Sequence, residues 1–478
     1  MGIKTSSFKN HMYSGALLRQ MEWVEPERLF PAFAARPGFI WLDNAKDMGD
    51  AGRWSFMMWA PREIIKGSAG EFTHTGEDGV HRQIADPFET LKHILTQENT
   101  ASAPDDKAKA PSVPPFTSGA AGFFGYGLQA ITEPSTRLIN KSQAVEGDIW
   151  IGIYGAVAAF DHTSGELTLT ARAEGAEDPE AVLNRVEEEI RLARDIHWAL
   201  APVANGKSSF VKSNFTREGF MDAVERVRHY IEQGDCYQAN IAQRFVTEDV
   251  MDDTLYLKLR EINPAPFGAY INTGAARILS VSPERFIQLR NGRAITRPIK
   301  GTRPRGRTPM EDYLLKLELV DSEKDRAENV MIVDLLRNDF SKVCLPNSVA
   351  APEICRLEEH PTVLHLVSEV AGQLWPGLGA VDLLKSAFPG GSVTGAPKIR
   401  AMEIINELEP DPRGAYCGAI GYLGFDGGMD TSVTIRTMIR ADGKISFHAG
   451  GGITYSSDPA EEYQETLDKA KALIEAVS

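Results

Sequence analysis

The chain has 478 residues, of which 42% are hydrophobic and 24% charged, values typical of a globular protein with a large core. Its 66 acidic residues outnumber the 51 basic ones, and the net charge of -15 opposes general binding to nucleic acid or anionic membranes. Four cysteines without a CxxC pair exclude a disulfide scaffold, and no apolar run is long enough to span a membrane, so we expect a cytoplasmic protein.

The first 205 residues are predicted to form short strands and one charged helix. The apolar runs at residues 39–42, 54–59, 149–160 and 166–173 favour strands, and residues 179–199 favour a helix. Residues 97–115 and 201–207 are polar and irregular, which predicts loops or linkers. We place the main boundary at the second linker, between an N-terminal region (1–205) and a C-terminal region (206–478).

The C-terminal region contains strands and helices in grouped runs. Thr216 can cap a helix that Gly234 ends. Further helices are predicted at residues 312–337, 380–388, 397–408 and 459–477, and strands at 237–247, 267–272, 278–281, 286–289, 419–425, 431–439 and 444–449. This grouping predicts an α+β fold of large antiparallel sheets, with a sandwich-like core and helices on the outer faces.

Lys300 is a candidate for chemistry because of its position between a strand-like segment and a turn. Pro298 and Gly301 flank it in a stretch rich in both residue types. An amine held rigidly there, desolvated or close to other cations, can act as a nucleophile. The alternative is an ordinary surface lysine in a basic loop, and the stretch by itself leaves both open.

Two predicted helices each offer a pair of carboxylates. Glu462 and Glu465 project with Lys469 from one sector of the last helix, and Asp325 and Glu328 are three residues apart in another. Such pairs can hold Mg²⁺, which commonly uses only one or two protein carboxylates. A solvated charged helix face is the alternative.

Two glycine-rich stretches can bring bare backbone close to a ligand. Residues 388–398 imitate a phosphate loop, but Ala396 and Pro397 stand where that loop has its lysine and hydroxyl residue, so we reject nucleotide binding. An anion-binding turn and a purely structural turn both remain. The glycine triplet 450–452 follows a predicted strand and is a second such place.

Three further residues carry weaker signals. His365 lies on an apolar segment and is either a hydrogen-bonded core residue or a catalytic one. Arg436, inside a predicted strand, needs an anionic partner, which can be a ligand carboxylate or a structural acid. Cys417 lacks the His and Glu pattern of a glutaminase nucleophile and is predicted to be a packed cysteine.

Ten ordered motifs over about 235 residues resemble those of the chorismate-utilising enzymes. They are GDCYQANIAQRF (234–245), SVSPERF (280–286), RPIKGTRPRG (297–306), DRAENVMIVDLLRND (325–339), HLVS (365–368), FPGGSVTGAPKIRAMEII (388–405), YCGAIGY (416–422), TSVTIRT (431–437), AGGGI (449–453) and EEYQETLDKA (461–470). The N-terminal region resembles this family only in GRWSF (52–56) and GAAGFFGYG (119–127). The resemblance implies two intertwined subdomains.

Two positions distinguish the branches of this family. Where the anthranilate branch has alanine in its PIAGT motif the chain has Lys300, and where the isochorismate and salicylate branches have a water-activating lysine it has Gln238. The resemblance therefore implies amination of chorismate at C4, in the transaminase or transferase class, to give 4-amino-4-deoxychorismate for 4-aminobenzoate and folate synthesis. Anthranilate formation is the alternative within the family. The alternative that is not an enzyme is a catalytically silent regulatory or interaction subunit.

The resemblance also implies roles for individual residues. Lys300 would add to C2 of the ring while Glu284 protonates the departing C4 hydroxyl, with His365 nearby. Mg²⁺ would be held mainly by Glu328 and Glu465. Two further carboxylates would lie behind water, namely Asp325 and Glu462. The implied substrate contacts are Tyr416, Arg436, Gly450, Gly451, Gly452, Lys469 and Thr394. Ammonia is expected from a separate glutaminase subunit.

Overall fold

The structure, a computed structural model, describes residues 11–44, 52–68, 70–98, 113–139, 143–196, 211–249, 253–360 and 363–478. The predicted linker at 201–207 lies outside these ranges, as do most of the linker at 97–115 and the end of the helix predicted at 179–199. Within these ranges no helix is long and apolar enough to cross a membrane.

Strands dominate the described part of the chain. In chain order they are β1 (His11–Tyr13), β2 (Ala16–Met21), β3 (Ile40–Asp43), β4 (Trp54–Met58), β5 (Glu63–Ser68), β6 (Glu71–Thr75), β7 (His81–Ile84), β8 (Gly119–Phe124), β9 (Ile149–Tyr154), β10 (Ala156–Asp161), β11 (Glu166–Ala171), β12 (Lys212–Ser213), β13 (Gln238–Glu248), β14 (Phe267–Asn272), β15 (Arg277–Ser282), β16 (Arg285–Arg290), β17 (Arg293–Thr296), β18 (Ile299–Pro304), β19 (Ala350–Glu359), β20 (Val363–Gln373), β21 (Gly395–Ala396), β22 (Ala419–Gly424), β23 (Met429–Val433), β24 (Thr437–Ala441) and β25 (Lys444–Ile453).

The strands form two large antiparallel sheets. The first has the order β1-β2-β11-β10-β4-β3-β14-β15-β24-β25-β13-β12, with β21 paired to β13. The second has the order β18-β20-β17-β16-β23-β22-β8-β9-β5-β6-β7, with β19 paired to β20. Apolar side chains from both sheets meet in a common core, where the rings of Phe116 and Tyr422 stack with centroids 4.4 Å apart.

Helices cover the outer faces of this sandwich. They are α1 (Pro26–Phe33), α2 (Pro87–Gln97), α3 (Gln129–Thr132), α4 (Pro179–Asp195), α5 (Arg217–Glu232), α6 (Leu255–Ile262), α7 (Pro309–Asp321), α8 (Glu323–Ser341), α9 (Ala380–Ala387), α10 (Lys398–Leu408) and α11 (Pro459–Val477). Apolar residues of α4 and α11 pack against the first sheet, and those of α2, α8 and α9 against the second. The predicted α+β fold with antiparallel sheets and outer helices is therefore confirmed.

Strands from both sides of residue 206 are neighbours in each sheet. In the first sheet β3 pairs with β14, and in the second β8 pairs with β22. The two regions are thus intertwined, as predicted. The domain boundary at residue 205 stays a prediction from the sequence, because each sheet contains strands from both sides of it.

The chain passes directly from one sheet to the other at points that the apolar pattern does not reveal. The run 149–160, predicted as one strand, is β9 in the second sheet and β10 in the first, with Gly155 between them. The run 431–439 is likewise β23 and β24, separated by a segment in which Arg436 has a φ of 53°. Pro283 and Glu284 make a third crossing, from β15 to β16.

Two other boundaries differ from the prediction. The helix predicted at 312–337 is α7 and α8, because Ser322 has an extended ψ of 103° and its hydroxyl caps α8 by accepting a hydrogen bond from the Asp325 N–H. The strand predicted to end before the glycine triplet continues through it, since β25 pairs with β13 as far as Ile453.

Candidate active site

Lys300 lies on a strand of the second sheet. Its strand, β18, pairs with β20, and a register shift interrupts the ladder between Ile299 and Thr302. Gly301 follows with a φ of 83°, and a Cβ there would come within 2.9 Å of side-chain atoms of Asp325 and Leu319. Glycine therefore lets this strand approach α7 and α8 closely at the residue next to Lys300.

The Lys300 amine faces carboxylates and a main-chain carbonyl. Its Nζ donates to the Ser392 carbonyl at 3.4 Å. Its charge also lowers the pKa values of Glu284, Glu328 and Glu465 relative to what burial alone would give. The predicted nucleophile and three of the predicted acidic residues therefore share one electrostatic environment.

Glu284 lies at the crossing between β15 and β16, where hydrogen bonds fix its backbone. Its N–H donates to Ser282 Oγ at 3.3 Å, and its carbonyl accepts from the Val433 N–H at 3.0 Å. Burial raises the pKa of its carboxyl, while Lys300, a hydrogen bond with the Ser392 side chain and Lys469 oppose this rise without cancelling it. A carboxyl with a raised pKa is suited to hold and donate a proton.

His365 is hydrogen-bonded to Thr302, two residues beyond Lys300. The Oγ1–Nδ1 distance is 2.9 Å, and the His360 ring lies 5.4 Å away by centroid. Burial, together with His360, lowers the pKa of His365 to about 4. The imidazole is therefore neutral at pH 7 and acts there through hydrogen bonding rather than as a cation.

The carboxylates predicted to bind metal come from the N-terminal half of α8 and from α11. Burial raises the pKa of Glu328, and Asp325 and Glu465 raise it further, against the effect of Lys300 and Lys324. Burial also raises the pKa of Glu462, which is only 4% exposed and accepts a 2.6 Å hydrogen bond from Ser457.

The remaining two of these carboxylates are paired with cations. Asp325 Oδ2 lies 3.3 Å from the Arg303 guanidinium. Glu465 Oε1 lies 2.5 Å from Lys469 Nζ. Burial acts to raise the pKa of Glu465, but Lys469, Lys324 and Lys300 together outweigh it and leave that pKa lowered.

The donor chemistry of these side chains fits Mg²⁺. Glu328 and Glu462 each have a pKa raised in part by Glu465, a repulsion that a divalent cation would relieve. Nowhere in the described ranges do three or more Asp, Glu, His or Cys side chains form a complete ligand cluster. Mg²⁺ does not require one, because one or two carboxylates suffice when substrate oxygens and water complete the octahedron.

The glycine triplet leaves room where the charged groups of α11 converge. A Cβ on Gly451 would lie 3.1 Å from Glu462 Oε2, 3.5 Å from Glu465 Oε1 and 3.8 Å from Lys469 Nζ. Lys469 also donates to the carbonyl of Gly450 at 2.9 Å. A Cβ on the third glycine, Gly452, would overlap the Gln238 side chain. Bare backbone is therefore a steric requirement at this wall of the site.

Arg436 and Tyr416 line the same region. Arg436 donates to the carbonyl of Lys469, and its pKa is lowered by burial although Tyr416 and Glu465 act to raise it. The Tyr416 ring stacks on His448 with centroids 4.9 Å apart and an interplanar angle of 11°. A partly buried guanidinium bound to a carbonyl keeps donors for a carboxylate ligand.

Thr394 is fully buried and holds the glycine-rich turn together. Its hydroxyl donates to the Gly390 carbonyl at 2.9 Å, and its own carbonyl accepts from the Asn240 N–H at 2.7 Å. The contact that Lys300 and Glu284 make in this turn is with Ser392, two residues earlier, which sequence reasoning missed. The glycine-rich sequence predicted a turn, but only the fold shows that Ser392 in this turn contacts Lys300, 92 residues away.

A separate cavity of about 70 Å³ lies between the two sheets. Its walls include Trp54, Phe56, Tyr422 and Asp430, and none of the predicted site residues lines it. The candidate site is therefore the region around Lys300, at the crossings between sheets and the facing ends of α8 and α11.

Comparison with known proteins agrees with this geometry. A family model described as chorismate binding enzyme matches residues 39–475. The chain belongs to the chorismate binding enzyme family, which confirms the family resemblance.

Similar proteins cover nearly the whole chain. Aminodeoxychorismate synthase component 1 of Klebsiella aerogenes is 40% identical over 455 residues, which are 94% of this chain and 95% of the relative. The Escherichia coli K12 protein of the same name is 42% identical over 395 residues, 81% and 82% of the two chains. The crystal structure of anthranilate synthase component I from Streptococcus pneumoniae TIGR4 superposes with a TM-score of 0.75 at 33% identity, covering 88% of this chain and 92% of that one.

Proposed function

We propose that this chain is the synthase component that aminates chorismate at C4, giving 4-amino-4-deoxychorismate for 4-aminobenzoate and folate synthesis. The observation that carries the proposal is the Lys300 amine, which is hydrogen-bonded to Ser392 and interacts electrostatically with Glu284 and Glu328. The two aminodeoxychorismate synthase relatives, at 40% and 42% identity, support the same branch, against 33% for the anthranilate synthase structure.

We assign substrate binding to cationic side chains and to the glycine backbone. Chorismate carries two carboxylates, and the chain as a whole is strongly acidic, so local cations must favour the dianion. Arg436 and Lys469 supply positive charge, Tyr416 supplies a hydroxyl and an aromatic ring, and the glycine triplet 450–452 supplies a wall without side chains.

Glu328 and Glu465 would hold a Mg²⁺ ion, with Asp325 and Glu462 contributing through water. The ion would offset the charge of the substrate carboxylate and orient the ring. Replacing the Glu465 contact to Lys469 by a metal contact would leave that amine free for the substrate.

Covalent chemistry begins at Lys300. After its ammonium group loses a proton to water, the Lys300 amine forms a bond to C2 of the ring while the C4–O bond breaks, and the Glu284 carboxyl donates the proton with which the hydroxyl leaves as water. Ammonia then forms a bond to C4 as the C2–N bond breaks and Lys300 departs as an amine. The added nitrogen yields a proton that restores Glu284 as the acid. Occupation of C2 by the enzyme directs ammonia to C4.

Ammonia would come from a separate glutaminase subunit in the cytoplasm. The name component 1, which both relatives carry, implies a second component for those proteins, and we extend this to the present chain. Cys417, buried and at a φ of 64°, is not a candidate for that activity because burial raises its thiol pKa to about 12.

Product analysis tests the proposal. The purified chain is incubated with chorismate, MgCl₂ and ammonium at high pH, and the products are separated and identified by mass and fluorescence. We expect 4-amino-4-deoxychorismate as the main product. Fluorescent anthranilate as the main product would assign the other branch, and unconsumed chorismate would indicate an interaction subunit.

A further inference from the structure

We propose that the side-chain carboxamides of Gln238 and Asn240 bind the ammonia that reacts in this site, each accepting a hydrogen bond from one of its N–H groups. The inference rests on the proposed function, because it gives the second substrate of that reaction a place in the same site. It goes beyond that function by naming the side chains that hold the incoming nucleophile.

Gln238 and Asn240 point to the same face of β13, because they are two residues apart on this strand. Asn240 lies opposite Gly452 on the neighbouring strand β25. The Gln238 amide lies against the same glycine, since a Cβ on Gly452 would come within 1.8 Å of Gln238 Nε2. Both carboxamides are therefore at the glycine triplet that forms one wall of the candidate site.

This face of the sheet also carries groups already assigned to the site. His448 is four residues before Gly452 on β25 and points the same way, and the ring of Tyr416, a proposed substrate contact, stacks on it with centroids 4.9 Å apart. The Asn240 N–H donates to the Thr394 carbonyl at 2.7 Å, which ties β13 to the glycine-rich turn. The carboxamides therefore share a sheet face with a proposed substrate contact, and their strand is bonded to the turn that contacts the proposed nucleophile.

Neither carboxamide oxygen has a hydrogen-bond partner in the described part of the chain. Gln238 Oε1 and Asn240 Oδ1 are both buried and unpaired. The two residues are 2% and 9% exposed. Because buried polar atoms are nearly always paired, two unpaired acceptors on one strand face indicate a ligand that donates hydrogen bonds to them.

A third carboxamide on β13 is fully paired within the protein. Gln243 is completely buried and points to the opposite face of the strand. Its Oε1 accepts from Ser213 Oγ at 2.6 Å, and its Nε2 donates to Thr466 Oγ1. The protein therefore satisfies a buried carboxamide on one face of this strand and leaves two unsatisfied on the face that belongs to the site.

Ammonia fits two such acceptors. Two of its three N–H groups can donate to the carboxamide oxygens, and the nitrogen lone pair then remains free to attack carbon. Ammonium has no lone pair, and burying its charge between two uncharged amides is unfavourable, so the pair favours the reactive form. The hydroxyl of chorismate is the other donor that the reaction brings to this site, and kinetics separate the two.

The test measures steady-state kinetics of Gln238→Met and Asn240→Leu, which keep a similar volume and lack the acceptor. Free ammonia is varied at high pH with saturating chorismate and Mg²⁺, and chorismate is then varied at saturating ammonia. Loss of one hydrogen bond predicts that the KM for ammonia rises about 5- to 10-fold in each variant. The KM for chorismate should stay within about twofold of the wild type.

Gln243→Met is the matched control, because it removes a paired carboxamide from the same strand. Its KM for ammonia should stay within about twofold of the wild type, while its Tm should fall because two hydrogen bonds are lost. Gln238→Met and Asn240→Leu should unfold at the temperature of the wild type or above it, since each removes an unpaired buried group. Gln238→Ala or Asn240→Ala replaces either variant if it does not fold, with the same expected rise in the KM for ammonia.

Two results would overturn the inference. One is a KM for ammonia within twofold of the wild type in either folded variant. The other is a rise confined to the KM for chorismate, which would assign the carboxamides to the substrate hydroxyl. Failure of the proposed function is distinguished by the product, because anthranilate from the wild type would reject C4 amination, whereas the KM for ammonia is measured whichever carbon is aminated.

Discussion

Lys398 and Asp339 form a buried ion pair that joins the start of α10 to the end of α8. The Nζ–Oδ2 distance is 2.7 Å, and the two side chains are 7% and 4% exposed. Lys398 also donates to the Ala387 carbonyl at 3.0 Å. The pair closes the far end of the glycine-rich turn that carries Ser392.

Breaking this pair on one side should destabilise the fold strongly. Asp339→Asn leaves the Lys398 ammonium buried without its counter-charge, which costs about 3–5 kcal/mol. Urea unfolding measures the change. The exposed pair of Arg337 with Asp334, 3.6 Å apart, is the control, and Asp334→Asn should change the free energy of unfolding by less than about 1 kcal/mol. Equal effects at the two positions would contradict the role of burial.

Lys300→Ala should abolish C4 amination. Loss of the nucleophile is expected to lower kcat by at least about 10³-fold, while Mg²⁺ binding measured by calorimetry stays within about threefold. Lys316→Ala should leave activity unchanged, because it removes an amine on α7 that is paired with Asp312 on the same helix and with Glu359 on β19. Product formed at the wild-type rate by the Lys300 variant would exclude the covalent route.

Glu328→Gln and Glu465→Gln should each raise the Mg²⁺ concentration needed for half-maximal activity. A neutral amide is a weaker ligand for a hard cation than a carboxylate, so we expect a shift of at least about 10-fold. The matched control is Glu461→Gln, because Glu461 is an exposed residue in the first turn of α11, the helix that carries Glu465. A titration superimposable on that of the wild type would remove the substituted residue from the metal site.

His365 should make stability depend on pH in the acid range. Its pKa is about 4 in the folded chain, against 6.5 without perturbation, so the folded state favours the neutral ring. The resulting stabilisation is fully present above about pH 6.5 and is lost as the pH falls from 6.5 to 4, up to about 3 kcal/mol in total.

Substitution isolates this contribution. His365→Asn should flatten the fall in the free energy of unfolding between pH 6.5 and pH 4. His81 is the control, because it is hydrogen-bonded through Nδ1 to Thr75 at 2.7 Å but is exposed. His81→Asn should leave the slope unchanged because its ring is exposed. An unchanged slope in the His365 variant would mean that folding does not lower the pKa of His365.

The sequence was sufficient for the fold class and for most secondary structure. Grouped strands and helices predicted the α+β sandwich because amphipathic periodicity reports which faces are buried. It could not predict the crossings between sheets. The run around Arg436 alternates like one strand, but Arg436 has a φ of 53° and the strands on either side of it, β23 and β24, lie in different sheets.

The candidate site was predictable as a set of residue types, not as a set of contacts. Motifs singled out Lys300, Glu284 and the carboxylates of two helices, and the fold brings these side chains into one electrostatic environment. Ser392 was missed because a serine in a glycine-rich turn has no sequence signal for a lysine on a distant strand. The pKa values of Glu284 and His365 depend on burial, which spacing does not report.

The crossings also affect how the protein responds to strain. Glu284 and Arg436 lie in connections between the sheets, and one main-chain hydrogen bond, from Val433 to Glu284, ties two of these connections together. Small sliding of one layer over the other would therefore misalign the catalytic groups before it exposed the core. On heating or in mild denaturant, turnover should therefore be lost under conditions where the spectroscopic signal of folding is still that of the native protein.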